Sequence, residues 1–134
     1  MAGSIVITHT QEGQYGIERV SLAWTSTAGG AVSDILTGIL HGILTNVEFI
    51  PGSGGTQPSA AYDITLLDAN LVDVLAGRGA NLSNTTGKRI TPASERHDGT
   101  TAGLGDVVVS EPLQLVVANA GDSKTGTVVL YLRH

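Results

Sequence analysis

The stretch LQLVVANAGDSKTGTVVLYLR, residues 113–133, decides the fold class. Leu113, Leu115 and Val117 alternate with Gln114 and Val116, and further on Val128, Leu130 and Leu132 alternate with Val129 and Tyr131. A repeat of two puts one apolar row on one face of an extended chain. The residues between the two rows, 119–126, bring Asn119, Gly121 and Gly126, which interrupt both patterns. The segment therefore reads as two closing strands joined by a glycine-bearing link.

The same alternation recurs upstream. Tyr62, Ile64 and Leu66 alternate with Asp63 and Thr65, and Asp68, Ala69 and Asn70 offer a tight turn into residues 72–75, which predicts a hairpin. Ile5 and Ile7 alternate with Ser4, Val6 and Thr8 as a first strand, which ends at the polar residues 11–16. Residues 17–25 form a second strand whose Val20, Leu22 and Trp24 face is expected to be buried. Residues 35–47 pull two ways. Ile35, Leu36, Ile39, Leu40, Ile43, Leu44 and Val47 recur at helical spacing behind Ser33 or Asp34 as a cap. Against a helix, Gly38 and Gly42 each cost a helix interior about 1 kcal/mol relative to Ala, and Val47, Phe49 and Pro51 finish in strand fashion. Two strands, or one long bent strand, are the expectation. PGSGGTQP, residues 51–58, is a turn-forming loop. Residues 76–105 show only a short strand near Ile90, and a connection so much longer than the usual ~4–6 residues suggests a task of its own or mobility.

Composition agrees with this pattern. The 134 residues suffice for one domain with one core, and 41% hydrophobic against 14% charged residues argues against a charge-dominated disordered chain. Aromatic residues make up 4% and there are 18 glycines, a balance that favours strands and turns over a helical bundle. With no cysteine the chain has neither disulfides nor a thiolate metal site. A net charge of -5 with only 7 Lys and Arg disfavours nucleic acid as the main partner. The most apolar run, residues 35–50, is broken by Gly38, His41, Gly42, Asn46 and Glu48 and falls short of a membrane span. The amino terminus lacks the basic and apolar parts of a secretion signal, so a soluble protein made in the cytosol is expected. The fold expectation is all-β: one antiparallel β-sandwich domain over residues 1–134, with a small barrel or a jelly roll as variants, and a long loop at 76–105.

Chemistry-bearing motifs are incomplete. Gly77, Arg78 and Gly79 lack the third glycine and the helix of a dinucleotide fingerprint, and Gly87, Lys88 and Arg89 lack the spacing and hydroxyl of a phosphate loop. Ser53 follows Gly52 but has Pro51 where a nucleophile elbow needs glycine. His9, His41, His97 and His134 stand far apart, and Asp63, Asp68 and Asp73 lack the spacing of a calcium loop, so a metal site is not expected. Trp24 or a tyrosine could stack on a sugar, but the alternating apolar neighbours of Trp24 favour a core role for it. The local charge reversal is more suggestive: Arg78, Lys88, Arg89 and Arg96 share the long loop with only Glu95 and Asp98 nearby. They form a candidate grip on an acidic partner surface, with a solvated loop as the competing reading.

PGSGGTQPSAAYDITLLDANLVDVLAGRGANLSN, residues 51–84, and the closing segment 113–133 resemble a family of small structural proteins from tailed bacteriophages. One departure is Leu71, where a glycine would be expected in the turn. The resemblance implies a non-enzymatic virion protein without cofactors, made in the host cytoplasm and placed on the outer capsid surface. There a decoration, or cement, protein would bind the major capsid protein as a homo-oligomer, trimer or dimer, and stabilise the shell. A tail or head-to-tail joining protein is the alternative, and a host-glycan-binding virion module a further one.

Overall fold

The computed structural model describes residues 3–12, 16–36, 42–95, 102–104, 107–110 and 112–134. Among these, the regular structure is β-strand with one short 3-10 turn at Gly54–Thr56, so the all-β expectation holds. The strands are β1 (Ser4–Glu12), β2 (Ile17–Thr25), β3 (Val32–Leu36), β4 (Gly42–Pro51), β5 (Asp63–Leu67), β6 (Lys88–Ile90), β7 (Ala93–Glu95), β8 (Ala102–Leu104), β9 (Val107–Val109), β10 (Leu113–Ala118) and β11 (Thr125–Arg133).

They form a large antiparallel sheet in the order β1-β2-β11-β4-β6, with β9 also on β4, a small antiparallel sheet β3-β10-β5, and a two-stranded β7-β8 ribbon. The inward row of the large sheet includes Val20, Leu22, Trp24, Val128, Leu130 and Leu132, and that of the small sheet Ile64, Leu66, Leu113, Leu115 and Val117. All of them belong to one hydrophobic cluster. Each fully buried aliphatic or aromatic side chain contributes roughly 1.5–3 kcal/mol through removal from water, so this shared row is the main source of stability.

Of residues 35–47, the described ones, 35–36 and 42–47, belong to two strands, β3 and β4, in different sheets, and Ile39 and Leu40 lie outside the described residues. The helix-like spacing of Leu44 and Val47 has a local cause. The β4–β11 register shifts between Tyr131 and Leu132, so Thr45 is an extra residue and Leu44 and Val47, three apart, both face the core. The Thr45 hydroxyl donates to the Tyr131 carbonyl at 3.1 Å across this bulge.

The two closing strands form as expected, as β10 and β11; they do not pair with each other, and the 119–124 link carries the chain from the small sheet to the large one. One expectation needs correction. The hairpin after Tyr62 is cut short: β5 pairs along its length with β10, while the chain turns back at 68–72 and meets β5 through Asp68 N to Val72 O (2.9 Å), Val74 N to Leu66 O (2.8 Å) and the Leu67–Asp73 bridge, without forming a second strand. The reason is side-chain competition for the backbone. Asp73 Oδ1 accepts from the amides of Leu66 (3.2 Å) and Leu75 (3.0 Å), and Oδ2 from Gly77 (2.9 Å). These bonds curl residues 73–77 into a turn where a second strand would run.

The described part of the long loop is also more structured than its composition suggests. Gly79 O accepts from Ile64 N at 2.8 Å, Leu82 N donates to Tyr62 O at 2.8 Å, and Leu82 and Ile90 are buried. Residues 79–82 therefore cover the edge of β5 that β10 leaves free.

Three links between the sheets meet beside the ends of β2 and β11. The buried Ser26 donates its hydroxyl to Gly121 O (2.6 Å) and accepts from Lys124 N (2.9 Å). Ala120 N bonds Gly30 O (2.9 Å), and Ser59 N bonds Ala120 O (2.8 Å). At Gly126 any Cβ would collide with the Trp24 indole, so glycine there lets the core's largest ring lie flat against β11.

Candidate functional site

Strand alternation separates the basic residues that the sequence groups. Lys88 and Arg89 are consecutive in β6 and emerge on opposite faces of the sheet edge. Arg78 is half-buried and its Nη1 donates to Thr91 O at 2.7 Å, tying the approach to β6 to the segment that leaves it. Arg96 lies outside the described residues. Of the three described, only Arg89 takes part in a surface constellation. Its guanidinium sits 4.4 Å from the centroid of the Tyr131 ring and its Nε donates to Asn46 Oδ1 at 3.3 Å.

That stack occupies the outer face of the large sheet, whose rows follow from the strand registers. Val6, Ala23, Thr127 and Ile50 form one row, Thr10, Arg19, Tyr131 and Asn46 another, and Ile17, Arg133, Ile43 and Val108 a third. Val6 (60%), Val108 (72%), Ile17 and Ile50 are exposed around a centre that carries Arg19, Tyr131 and Arg89. A rim of exposed aliphatic groups around an arginine–tyrosine stack is binding chemistry, because Arg and Tyr combine large contact area with directional donors.

A second apolar surface lies at one end of the small sheet. Ile35, Leu71, Pro112 and Leu113 line an open groove of about 310 Å³, with Val72 exposed beside the turn. Leu71 is 70% exposed and takes φ 63°. The glycine expected at this position from the resemblance would adopt that left-handed conformation without cost, whereas leucine pays roughly 1–2 kcal/mol to present its side chain there.

Asp63 and Asp68 hold the backbone of the fold. Asp63 accepts from Asn81 N (2.8 Å) and from the Asn119 side-chain amide (2.6 Å), holding two asparagines that both sit at positive φ. Asp68 Oδ1 accepts from the amides of Asn70 and Val72 at 2.9 and 3.0 Å. Such carboxylates pin turns, and among the described residues no three His, Asp or Glu side chains converge to hold a metal. Sequence spacing hides one cluster. Glu18 lies 3.1 Å from His9 Nδ1 and 3.5 Å from His134 Nε2, joining β1, β2 and the carboxyl terminus. Only the antiparallel registers bring these three together, while His41 and His97 lie outside the described residues.

Trp24 is 1% exposed, with its ring centroid 5.7 Å from that of Tyr62. It is core and cannot stack on a sugar, which leaves that role, among the aromatic residues weighed for it, to a tyrosine. Burial pushes the Tyr62 phenol up to about 12. Ser53, the other residue weighed for chemistry, is exposed just before the 3-10 turn and accepts from Thr56 Oγ1 through its carbonyl (3.3 Å). Comparison with known protein families, with curated proteins and with solved structures gives no match for this chain.

Proposed function

We propose that this chain is a structural protein of a phage virion, a capsid decoration protein that binds the outer head shell as a homo-oligomer and stabilises it. The observation that carries the reading is the division of labour among side chains. Asp63, Asp68, Asp73 and Ser26 are committed to holding backbone, while Val6, Val108, Leu71 and Val72 are left at the surface of a stiff strand-built body. Such a surface is suited to docking on neighbours. Exposed apolar groups on two separate surfaces would let one copy touch a shell subunit and a second copy at once, and repeated contacts on a lattice raise the effective concentration of each. The likeness of residues 51–84 and 113–133 to phage structural proteins supplies the choice of partner, the major capsid protein.

The test is made on particles. Purified heads should contain the chain in proportion to shell subunits, and heads stripped of it should lose resistance to heat. A copy number matching a tail or a head-to-tail ring would move the protein to that joint. Absence from purified particles, or unchanged heat resistance after stripping, would refute the decoration role.

A further inference from the structure

The strand edges of this molecule are not protected alike. Edges tempt other strands because they present unpaired amides and carbonyls, and proteins guard them by shortness, charge, proline, bulges or a covering segment. The outer edge of β5 is covered by Gly79 and Leu82. β6 and β9 have three residues each, and β6 carries Lys88 and Arg89. β3 has five, and Asp34, in register with the core residue Leu115, places a carboxylate on the inward side of that edge.

Among the described residues, β1 has none of these guards. It runs nine residues, SIVITHTQE, with no Pro, Gly, Lys or Arg, and its one carboxylate is at the last position. It pairs with β2 from Ser4 to Glu12 without a register shift, and no described strand pairs with its other side. Its start is crowded, since Gly3 abuts Val32 of β3. The open part is therefore the middle and the end, where Val6, Thr8 and Thr10 are exposed.

We propose that β1 is a self-association edge: the β1 strands of two copies pair antiparallel across a two-fold axis and join the two large sheets into one. The occupant is a second copy because the strand meets itself without charge conflict, its few ionisable groups lying in the second half. Antiparallel pairing sets residues of like parity opposite one another, so Val6, Thr8 and Thr10 of both copies meet on the outer face and Ile5, Ile7 and His9 on the inner. A two-fold contact of this kind closes on itself and ends at the dimer. It also doubles the outer sheet face that carries Arg89 and Tyr131. The inference deepens the self-association part of the proposed function and rests on that reading for this part alone.

The test uses the isolated full chain in analytical ultracentrifugation. The wild type should sediment at twice the chain mass. A Val6→Lys, Thr8→Lys double variant should fall to the chain mass with an unchanged circular dichroism spectrum, since both side chains are exposed. A Val6→Glu, Thr8→Glu variant should also be monomeric, and mixing the two should restore the dimer through opposite charges. In the wild type, hydrogen exchange should show edge-facing β1 amides whose protection rises with protein concentration, a readout that needs no variant. A monomeric wild type, a trimer, lysine and glutamate variants that keep the dimer, or exchange independent of concentration would overturn the proposal. Monomeric protein found on heads would refute the edge and leave the decoration reading standing; a dimer absent from particles would do the reverse.

Discussion

The two ends of the large sheet are held by different chemistry. At the end where β2 stops and β11 starts, three inter-sheet links are tied by neutral groups: Ser26 to Gly121 and Lys124, Ala120 to Gly30, and Ser59 to Ala120. At the other end, Glu18 lies between His9 and His134, both partly exposed. Breaking a buried neutral hydrogen bond leaves a desolvated backbone group behind, whereas water largely takes the place of a broken, solvated contact to a carboxylate. The end that looks less charged therefore carries more of the stability.

The largest effect should follow Ser26→Ala, which removes at once the acceptor for Lys124 N and the donor to Gly121 O in a fully buried position. A loss of about 2–3 kcal/mol is expected, read from chemical denaturation midpoints at constant m-value. A loss as small as that of an exposed residue would show that the link end is not the stabilising one.

Tyr62→Phe extends the contrast between buried and solvated groups to pH. The folded chain keeps the phenol proton up to about 12, whereas the unfolded chain releases it near 10.0. The native state thus holds more protons in that window. Its contribution is complete below pH about 10 and is lost as pH rises towards about 12, by roughly 3 kcal/mol in all. Stability curves for wild type and Tyr62→Phe should run parallel below pH 10.0, and above it the wild type should fall relative to the variant. Parallel curves throughout would mean that Tyr62 is not desolvated in solution.

Glu18→Gln should have the smallest effect, under about 1 kcal/mol, with the difference from wild type shrinking further as salt is added. A larger loss that persists in salt would reverse the ranking of the two ends.

The alternating rows of β2, β5, β10 and β11 were legible because strand periodicity is a local property of side-chain order. The short strand near Ile90 was legible for the same reason, and so was the core role of Trp24. The basic group was not, because its residues were grouped by nearness along the chain. In a strand, the neighbour along the chain faces the other way, as Lys88 and Arg89 do. The Glu18 cluster failed in the opposite sense: His9, Glu18 and His134 are distant in sequence, and only the β1–β2 and β2–β11 ladders bring them together.

Composition and alternation by themselves determined that this chain is all-β, which residues turn inward, and that the 51–58 segment is a loop, since each depends on which side chains favour extended backbone and water exclusion. Tertiary structure alone decided which strands are partners. β10 and β11 are joined by a short link yet lie in different sheets, and Asp73 binds the amides of Leu66, Leu75 and Gly77 where the second strand of a hairpin would run. An extended strand carries the same inward row whichever neighbour it finds. The choice is made by competition among long-range contacts and by polar side chains that satisfy the backbone first.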